Sequence, residues 1–175
     1  MTIIKRVTIS TKGGMFMLAT IVNAEKGYLA QFDRLFNHPI EKVWAVLTEN
    51  DKLKIWMSHL EIVDLKKDGL IKFHHNDGSD RYEEMKITDF VDSAVLEFEW
   101  GADIVRFELQ TLGDGCLFIL KEFISELTDH TPKDLAGWHV CLNMFEAVLE
   151  NKTLGHPENE WEKWFEEYKE LMNEI

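Results

Sequence analysis

Residues 137–149 read GWHVCLNMFEAVL, and this segment decides the fold. Apolar side chains in and just before it recur at helical spacing and form one stripe: Leu135, Trp138, Leu142, Phe145 and Leu149. Thr131 suits the N-cap of this helix, and Pro132 suits its first helical position. Because a helix must bury such a stripe, we expect this one to lie across the concave face of a bent sheet.

The segments before this helix predict the strands of that sheet. In VLEFEW (95–100) Leu96, Phe98 and Trp100 point one way and the two glutamates point the other, and VRFELQ (105–110) alternates in the same manner. Turn signals separate the segments, among them KKDG (66–69), HNDGSD (75–80) and GDG (113–115). The pattern predicts an antiparallel sheet with one buried face and one solvent-exposed face.

Two short helices are expected between the first strands and the rest of the sheet, within HPIEKVWAVLTENDKLKIWM (38–57). Pro39 suits a first helical position, and apolar residues follow it at helical spacing up to Leu47. Thr48 or Asn50 can cap a second helix that carries Trp56. The sequence therefore predicts an α+β fold.

The length of 175 residues fits a single domain. GMFMLATIVNAEKGYLAQFDRLF (14–36) predicts two strands around the turn NAEKG, so residues 1–26 form an N-terminal extension with an extra strand. NEWEKWFEEYKELMNEI (159–175) predicts a further amphipathic helix, over 158–175, with one acidic face. This helix either packs on the outside of its own domain or serves a homodimer or another partner.

Composition excludes several classes of partner. The net charge of −13, without a compensating basic cluster, disfavours nucleic acid and anionic membrane surfaces. No apolar run approaches the roughly 18 residues that a membrane helix needs. Cys116 and Cys141 are expected to be buried thiols in a reducing compartment, which predicts a cytoplasmic protein.

Two segments carry a resemblance to a known family. RLFNHPIEKVWAVLTENDKLKIWM (34–57) and GWHVCLNMFEAVL (137–149) resemble the opening signature and closing helix of the Hsp90 ATPase activator homologue (C-terminal-domain) family, within the START-like, Bet v 1-like (SRPBCC) superfamily. The resemblance implies a helix-grip fold, in which a curved antiparallel sheet wraps a long C-terminal helix. The chain departs from the family pattern in its last strand, where LKEFI (120–124) stands in place of a segment that often carries histidine.

Motifs for catalysis or metal binding are absent from the sequence. His74 and His75 are neighbours on a strand, so their rings face opposite sides, and no HExxH, CxxC or GxSxG occurs. We therefore expect no metal, no cofactor and no catalytic residue.

The space between the sheet and the long helix is the predicted ligand site. The residues expected to line it are Trp56, Phe73, Tyr82, Trp100, Phe107, Phe118, Trp138, His139, Leu142 and Phe145. Tyr82, Arg106 and His139 are its candidate polar contacts. The aromatic residues can equally fill one another as a solid core, and the sequence leaves these two alternatives open.

Three functions are compatible with this pattern. The first is binding of a small apolar or aromatic molecule. The second is protein interaction, as a homodimer or a stress-linked partner that uses the acidic C-terminal helix. The third is a polyketide cyclase-like enzyme, which rests on analogy of fold alone.

Overall fold

The computed structural model describes residues 18–155 and 157–175, which form eight strands and four helices. The strands are β1 (Thr20–Asn23), β2 (Tyr28–Phe36), β3 (Leu60–Asp64), β4 (Leu70–His74), β5 (Tyr82–Val91), β6 (Val95–Trp100), β7 (Asp103–Leu112) and β8 (Gly115–Ile124). The helices are α1 (Ile40–Thr48), α2 (Asn50–Trp56), α3 (Thr131–Leu149) and α4 (Pro157–Met172). The start of the predicted first strand, before residue 18, and His156 lie outside the described residues.

The strands form one antiparallel sheet in the order β1-β2-β8-β7-β6-β5-β4-β3. β2 lies beside β8, so a strand from the start of the chain pairs with the last strand. Helices α1 and α2 carry the chain from β2 to the opposite edge, where β3 begins. This architecture confirms the predicted α+β helix-grip fold.

The turn between β1 and β2 requires glycine. Gly27 has a φ of 78°, and a Cβ atom there would lie 2.1 Å from the carbonyl oxygen of Ile124. The predicted turn NAEKG therefore closes as expected, since only glycine tolerates both the conformation and the close approach of β8.

Burial alternates along the strands as predicted. Leu96 and Phe98 of β6 are buried, and so are Val105, Phe107 and Leu109 of β7. The opposite face carries Arg106, which pairs with carboxylates of three strands: Asp89 at 2.9 Å, Glu97 at 2.9 Å and Glu108 at 2.7 Å. Arg106 thus belongs to the outer, solvated face and is not a polar contact of the interior.

Helix α3 lies against the concave face of the sheet. All five residues of its predicted stripe are buried: Leu135, Trp138, Leu142, Phe145 and Leu149. The N-cap of α3 is His130 rather than Thr131, so Pro132 occupies the second helical position. Thr131 instead accepts a hydrogen bond on its Oγ1 from the backbone N–H of Thr128, which stabilises the loop leading into the helix.

The caps of α1 and α2 also differ from the prediction by one residue. Pro39 is itself the N-cap of α1, and Glu49 is the N-cap of α2. Asn50 uses its side chain elsewhere, because its amide exchanges two hydrogen bonds of 2.8 Å with the backbone of Ile62 in β3. Asn50 therefore ties α2 to the sheet edge.

Helix α4 packs against α3. It buries Trp164, Tyr168 and Leu171, the apolar side of the predicted amphipathic helix. The Tyr168 hydroxyl accepts a hydrogen bond of 3.0 Å from the backbone N–H of Ala19, so α4 also holds the segment before β1.

Candidate functional site

An aromatic interior fills the space between α3 and the sheet. Phe145 of α3 contacts Phe118 of β8 and Trp56 of α2, with ring centroids 4.9 Å and 5.0 Å apart. Phe107 continues this packing to Phe118 at 5.6 Å and to Trp138 at 6.1 Å. Five of the predicted lining residues therefore touch one another directly.

The void beside these rings is small. Trp56, Phe107 and their neighbours on α1, α2 and the sheet enclose about 10 Å³, which is room for one water molecule at most. Of the two alternatives that the sequence leaves open, mutual packing describes this part of the interior. A ligand could enter only if some of these side chains moved.

A second group of rings leads from the surface to this interior. Phe73 of β4 stacks on His59 with centroids 4.9 Å apart and meets Trp100 of β6 at 5.6 Å. Trp100 contacts Trp138 at 5.1 Å. Phe73 and Trp100 are half-buried, whereas Trp138 is buried, so these rings form an aromatic entrance at the end of the sheet nearest the start of α3.

A carboxyl group that the sequence analysis missed lies on the concave face. Glu122 of β8 sits between Ala30 and Val105 in the sheet and is only 1% exposed. Its Oε2 has no hydrogen-bond partner among the described residues. Burial, together with the nearby carboxylates of Asp134 and Asp103, raises the pKa of Glu122 to about 8, and burial is the largest of these causes. Glu122 is therefore protonated at neutral pH.

These two neighbouring acids lie at the aromatic entrance. Asp103 begins β7, pairs in register with Trp100, and accepts hydrogen bonds of 2.9 Å from the backbone N–H and the hydroxyl of Ser125. Asp134 lies one helical turn before Trp138 and pairs with His130 at 3.0 Å. Burial raises the pKa of Asp134 as well. Acidic and aromatic side chains thus share one end of the interior.

Tyr82 does not belong to this interior. It is 45% exposed and pairs in register with His74, on the face of the sheet opposite Phe73. The ammonium group of Lys72 lies 4.2 Å from the centre of its ring. As predicted, His74 and His75 face opposite sides, and they approach different carboxylates, those of Glu61 and Glu83 respectively.

His139 faces helix α4. Its ring stacks on Trp164 with centroids 3.8 Å apart, and its Nδ1 shares a hydrogen bond of 2.8 Å with the Tyr168 hydroxyl. Burial, together with the positive charges of Arg34 and Lys163, lowers the pKa of His139 to about 3, and burial is the largest of these causes. A neutral imidazole enclosed by α4 anchors that helix rather than reaching the aromatic interior.

The thiols are poor nucleophiles. Desolvation raises the pKa of Cys141 to about 12 and also raises the pKa of Cys116. Both cysteines are free. Within residues 18–155 and 157–175, no three His, Cys, Asp or Glu side chains lie close enough together to hold a metal ion. Over the same residues, no helix is both long and apolar enough to cross a bilayer.

A wider groove lies on the surface, where the end of α4 passes the start of α3. Its volume is about 610 Å³, within the range of ligand sites. Tyr28, Phe165 and Met172 supply apolar surface, but its charged residues, among them Lys133 and Lys169, are exposed to solvent. Polar contacts in such a groove compete with water, so they contribute little selectivity.

The sequence does contain a signal for Glu122. Counting by two along β8 from Phe118 gives Leu120, Glu122 and Ile124, so a single acid interrupts an inward-facing apolar row. The role of His139 left no comparable signal, because it depends on how α4 docks.

Comparison with known proteins identifies the type of domain. Residues 37–150 match the family model described as Activator of Hsp90 ATPase homolog 1-like protein. No curated protein matches the chain. Among solved structures, EF2215 from Enterococcus faecalis, a conserved protein of unknown function, is 26% identical, with a TM-score of 0.78 over 89% of this chain and 91% of that one.

Two further structures share the fold at lower identity. CalU16 from Micromonospora echinospora is 15% identical, with a TM-score of 0.68 over 88% of this chain and 90% of that one. A structure of the Aha1 dimer from Colwellia psychrerythraea is 20% identical, with a TM-score of 0.60 over 70% of this chain and 96% of that one.

Proposed function

The chain belongs to the Activator of Hsp90 ATPase homolog 1-like family, and from that premise we propose that it is a non-catalytic binding module for a small apolar or aromatic molecule. The proposed site is the aromatic interior under α3, reached through the entrance formed by Phe73 and Trp100. Burial of the ligand would supply affinity, and one polar side chain would supply orientation.

The observation that carries this proposal is the buried, unpartnered carboxyl of Glu122. Burial of a polar group without a hydrogen-bond partner costs roughly 1–3 kcal/mol by protein mutational data. A leucine at this position would stabilise the sheet better if the interior served packing alone. A buried polar group without a partner is instead expected in a binding site, where a ligand completes its hydrogen bonds.

Access to Glu122 requires side chains at the entrance to move. Trp100 and Phe73 are half-buried, and Trp100 lies at a hairpin end where Gly101 has a φ of 62°. Rings at a half-exposed rim exchange conformers more readily than rings enclosed on every side. A ligand would therefore bind the minor, open conformation and shift the population toward it.

The enzyme alternative, a polyketide cyclase-like activity, has one observation in its favour. The pKa of Glu122, raised to about 8, is near the operating range of a general acid or base. The two thiols and His139 offer less, because desolvation raises the pKa of both thiols and α4 encloses His139. A compound that binds and stays chemically unchanged would favour the binding module, whereas its conversion to a product would favour the enzyme.

The interaction alternative receives less support from α4. The helix uses Trp164, Tyr168 and Leu171 within its own domain, which leaves mainly its acidic face for a partner. The structure of the Aha1 dimer from Colwellia psychrerythraea makes a homodimer a partner worth testing by ultracentrifugation. Free thiols at Cys116 and Cys141 support the proposal of a cytoplasmic location.

Thermal unfolding with a panel of apolar and aromatic compounds tests the binding proposal. A compound present at 100 times its Kd should stabilise the folded protein by about 2.7 kcal/mol. Binding should weaken in the Phe107→Trp variant, which adds volume inside the interior, and should persist in Tyr82→Ala, which changes only the outer face. A panel without any stabilising compound, together with an empty protein in native mass spectrometry, would rule the proposal out.

A further inference from the structure

We propose that the ligand is an organic cation, in which a protonated amine pairs with Glu122 and an apolar or aromatic body lies against Trp138. The inference deepens the proposed function and rests on it. It assigns the chemical class of the ligand, which neither the family nor the fold determines.

Negative charge surrounds Glu122. Glu122 pairs in register with Val105, two residues after Asp103, so these two carboxyl groups share one face of the sheet. The carboxylate of Asp134 in α3 acts on Glu122 as well. The partner of Asp134 is the imidazole of His130, which is exposed to solvent at the start of the helix. Asp103 receives its hydrogen bonds from Ser125, an uncharged residue. The negative charges of Asp103 and Asp134 oppose a further negative charge here, so a positively charged guest is favoured and an anionic guest is repelled.

Glu122 has unmet hydrogen-bonding capacity. Its Oε2 is enclosed and lacks a partner among the described residues, whereas Oδ1 of Asp103 already accepts two hydrogen bonds from Ser125. An ammonium group carries three N–H donors, so it can satisfy this oxygen and neutralise the charge together. A neutral hydrocarbon has no hydrogen-bond donor, so it would leave Oε2 of Glu122 without a partner.

Two tryptophan side chains lie beside the acidic residues. Trp100 and Trp138 contact each other at 5.1 Å and lie beside the acidic residues, with Trp100 opposite Asp103 and Trp138 one turn after Asp134. Indole faces attract ammonium groups through their quadrupole, and tryptophan is the strongest such partner among the side chains. Carboxylates and indoles therefore favour the same class of guest.

Binding of a cation should release a proton. In the free protein Glu122 holds its proton at neutral pH, and pairing with an ammonium group requires the carboxylate. The O–H bond of Glu122 breaks, the proton passes to solvent, and the carboxylate keeps the electron pair. Affinity should consequently rise with pH up to about 8, by at most about tenfold per unit, and level off above it.

Three compounds of matched shape test the inference by titration calorimetry at pH 6, 7 and 8. Tryptamine carries the ammonium group, 3-ethylindole is a neutral analogue, and indole-3-propionate is an anionic one. We expect tryptamine to bind about tenfold or more tightly than 3-ethylindole at pH 8, and indole-3-propionate to bind most weakly. The binding heat should depend on the ionisation enthalpy of the buffer, as expected when a proton is released.

Two variants identify the group responsible. Glu122→Gln should remove the preference for tryptamine and its pH dependence. Glu84→Gln, which removes a carboxylate from the exposed outer face, should leave both unchanged. Equal binding of tryptamine and 3-ethylindole, or a preference that survives Glu122→Gln, would overturn the inference while leaving the binding module intact. Failure of all three compounds and of a wider panel of apolar amines and neutral aromatics would overturn both.

Discussion

Replacement of Glu122 by glutamine should stabilise the protein at neutral and alkaline pH. The pKa of this carboxyl is about 8 in the folded chain, against an ordinary value of 4.5. Between these values the unfolded chain loses the proton while the folded chain keeps it, so stability falls by about 1.4 kcal/mol for each pH unit. This loss of stability is absent below about pH 4.5 and reaches about 3 kcal/mol at pH 7.

Glutamine keeps the size of the side chain and cannot ionise. The difference in unfolding free energy between Glu122→Gln and the wild type should therefore be small near pH 4.5, grow through pH 7, and level off above about pH 8 at about 5 kcal/mol. Other groups face this site, namely Asp103 of β7 and Asp134 of α3 with its partner His130. They are present in both proteins, so most of their contribution cancels in the difference.

Urea denaturation followed by tryptophan fluorescence at pH 5, 6, 7 and 8 measures this difference. Glu84→Gln is the matched control, since it removes an exposed carboxylate and should change stability by less than about 0.5 kcal/mol at every pH. Parallel stability curves for the wild type and Glu122→Gln between pH 5 and 8 would show that the pKa of Glu122 is not raised in the folded protein. Such a result would mean that Glu122 is ionised and paired in the folded protein.

Three other substitutions probe the packing around the site. Phe145→Ala should lower the unfolding free energy by about 3–5 kcal/mol in urea titrations, because its ring contacts Phe118 and Trp56; a loss below 1 kcal/mol would argue against a solid interior. Tyr168→Phe should cost about 1–3 kcal/mol and speed amide hydrogen exchange in α4, since Ala19 and His139 lose their shared partner; unchanged exchange would show that other contacts dock the helix. Tyr82→Ala should change stability by less than about 0.5 kcal/mol, and a larger loss would contradict its assignment to the outer face.

The strands and helices of this fold were predictable because their signals are local. Alternation in VLEFEW fixes which residues of β6 face inward, and the structure agrees for Leu96, Phe98 and their polar neighbours. The stripe of α3 was equally visible, and its five residues are buried. Helix caps were one residue off because capping depends on hydrogen bonds, such as those of Asn50 to β3, that form only in the folded chain.

The site was harder to predict because it depends on contacts between distant elements. Tyr82 follows the loop 75–81. Because alternation along β4 does not continue through a loop, it cannot tell which residues of β5 face inward, and in the structure Tyr82 faces outward. His139 was expected to flank the ligand space, but α4 encloses it through Trp164 and Tyr168. Whether the aromatic rings leave a cavity is a question of summed volumes, which no spacing pattern reports.

The most direct test of the central claim is the position of a bound probe. Intermolecular nuclear Overhauser effects between tryptamine or 3-ethylindole and the protein report which side chains lie within a few ångströms of the ligand. We expect contacts to Trp138, Phe107 and Trp100, at the entrance to the interior that contains Glu122. Contacts to Tyr28, Phe165 and Met172 would place the ligand in the groove beside α4 and would exclude the aromatic interior as the binding site.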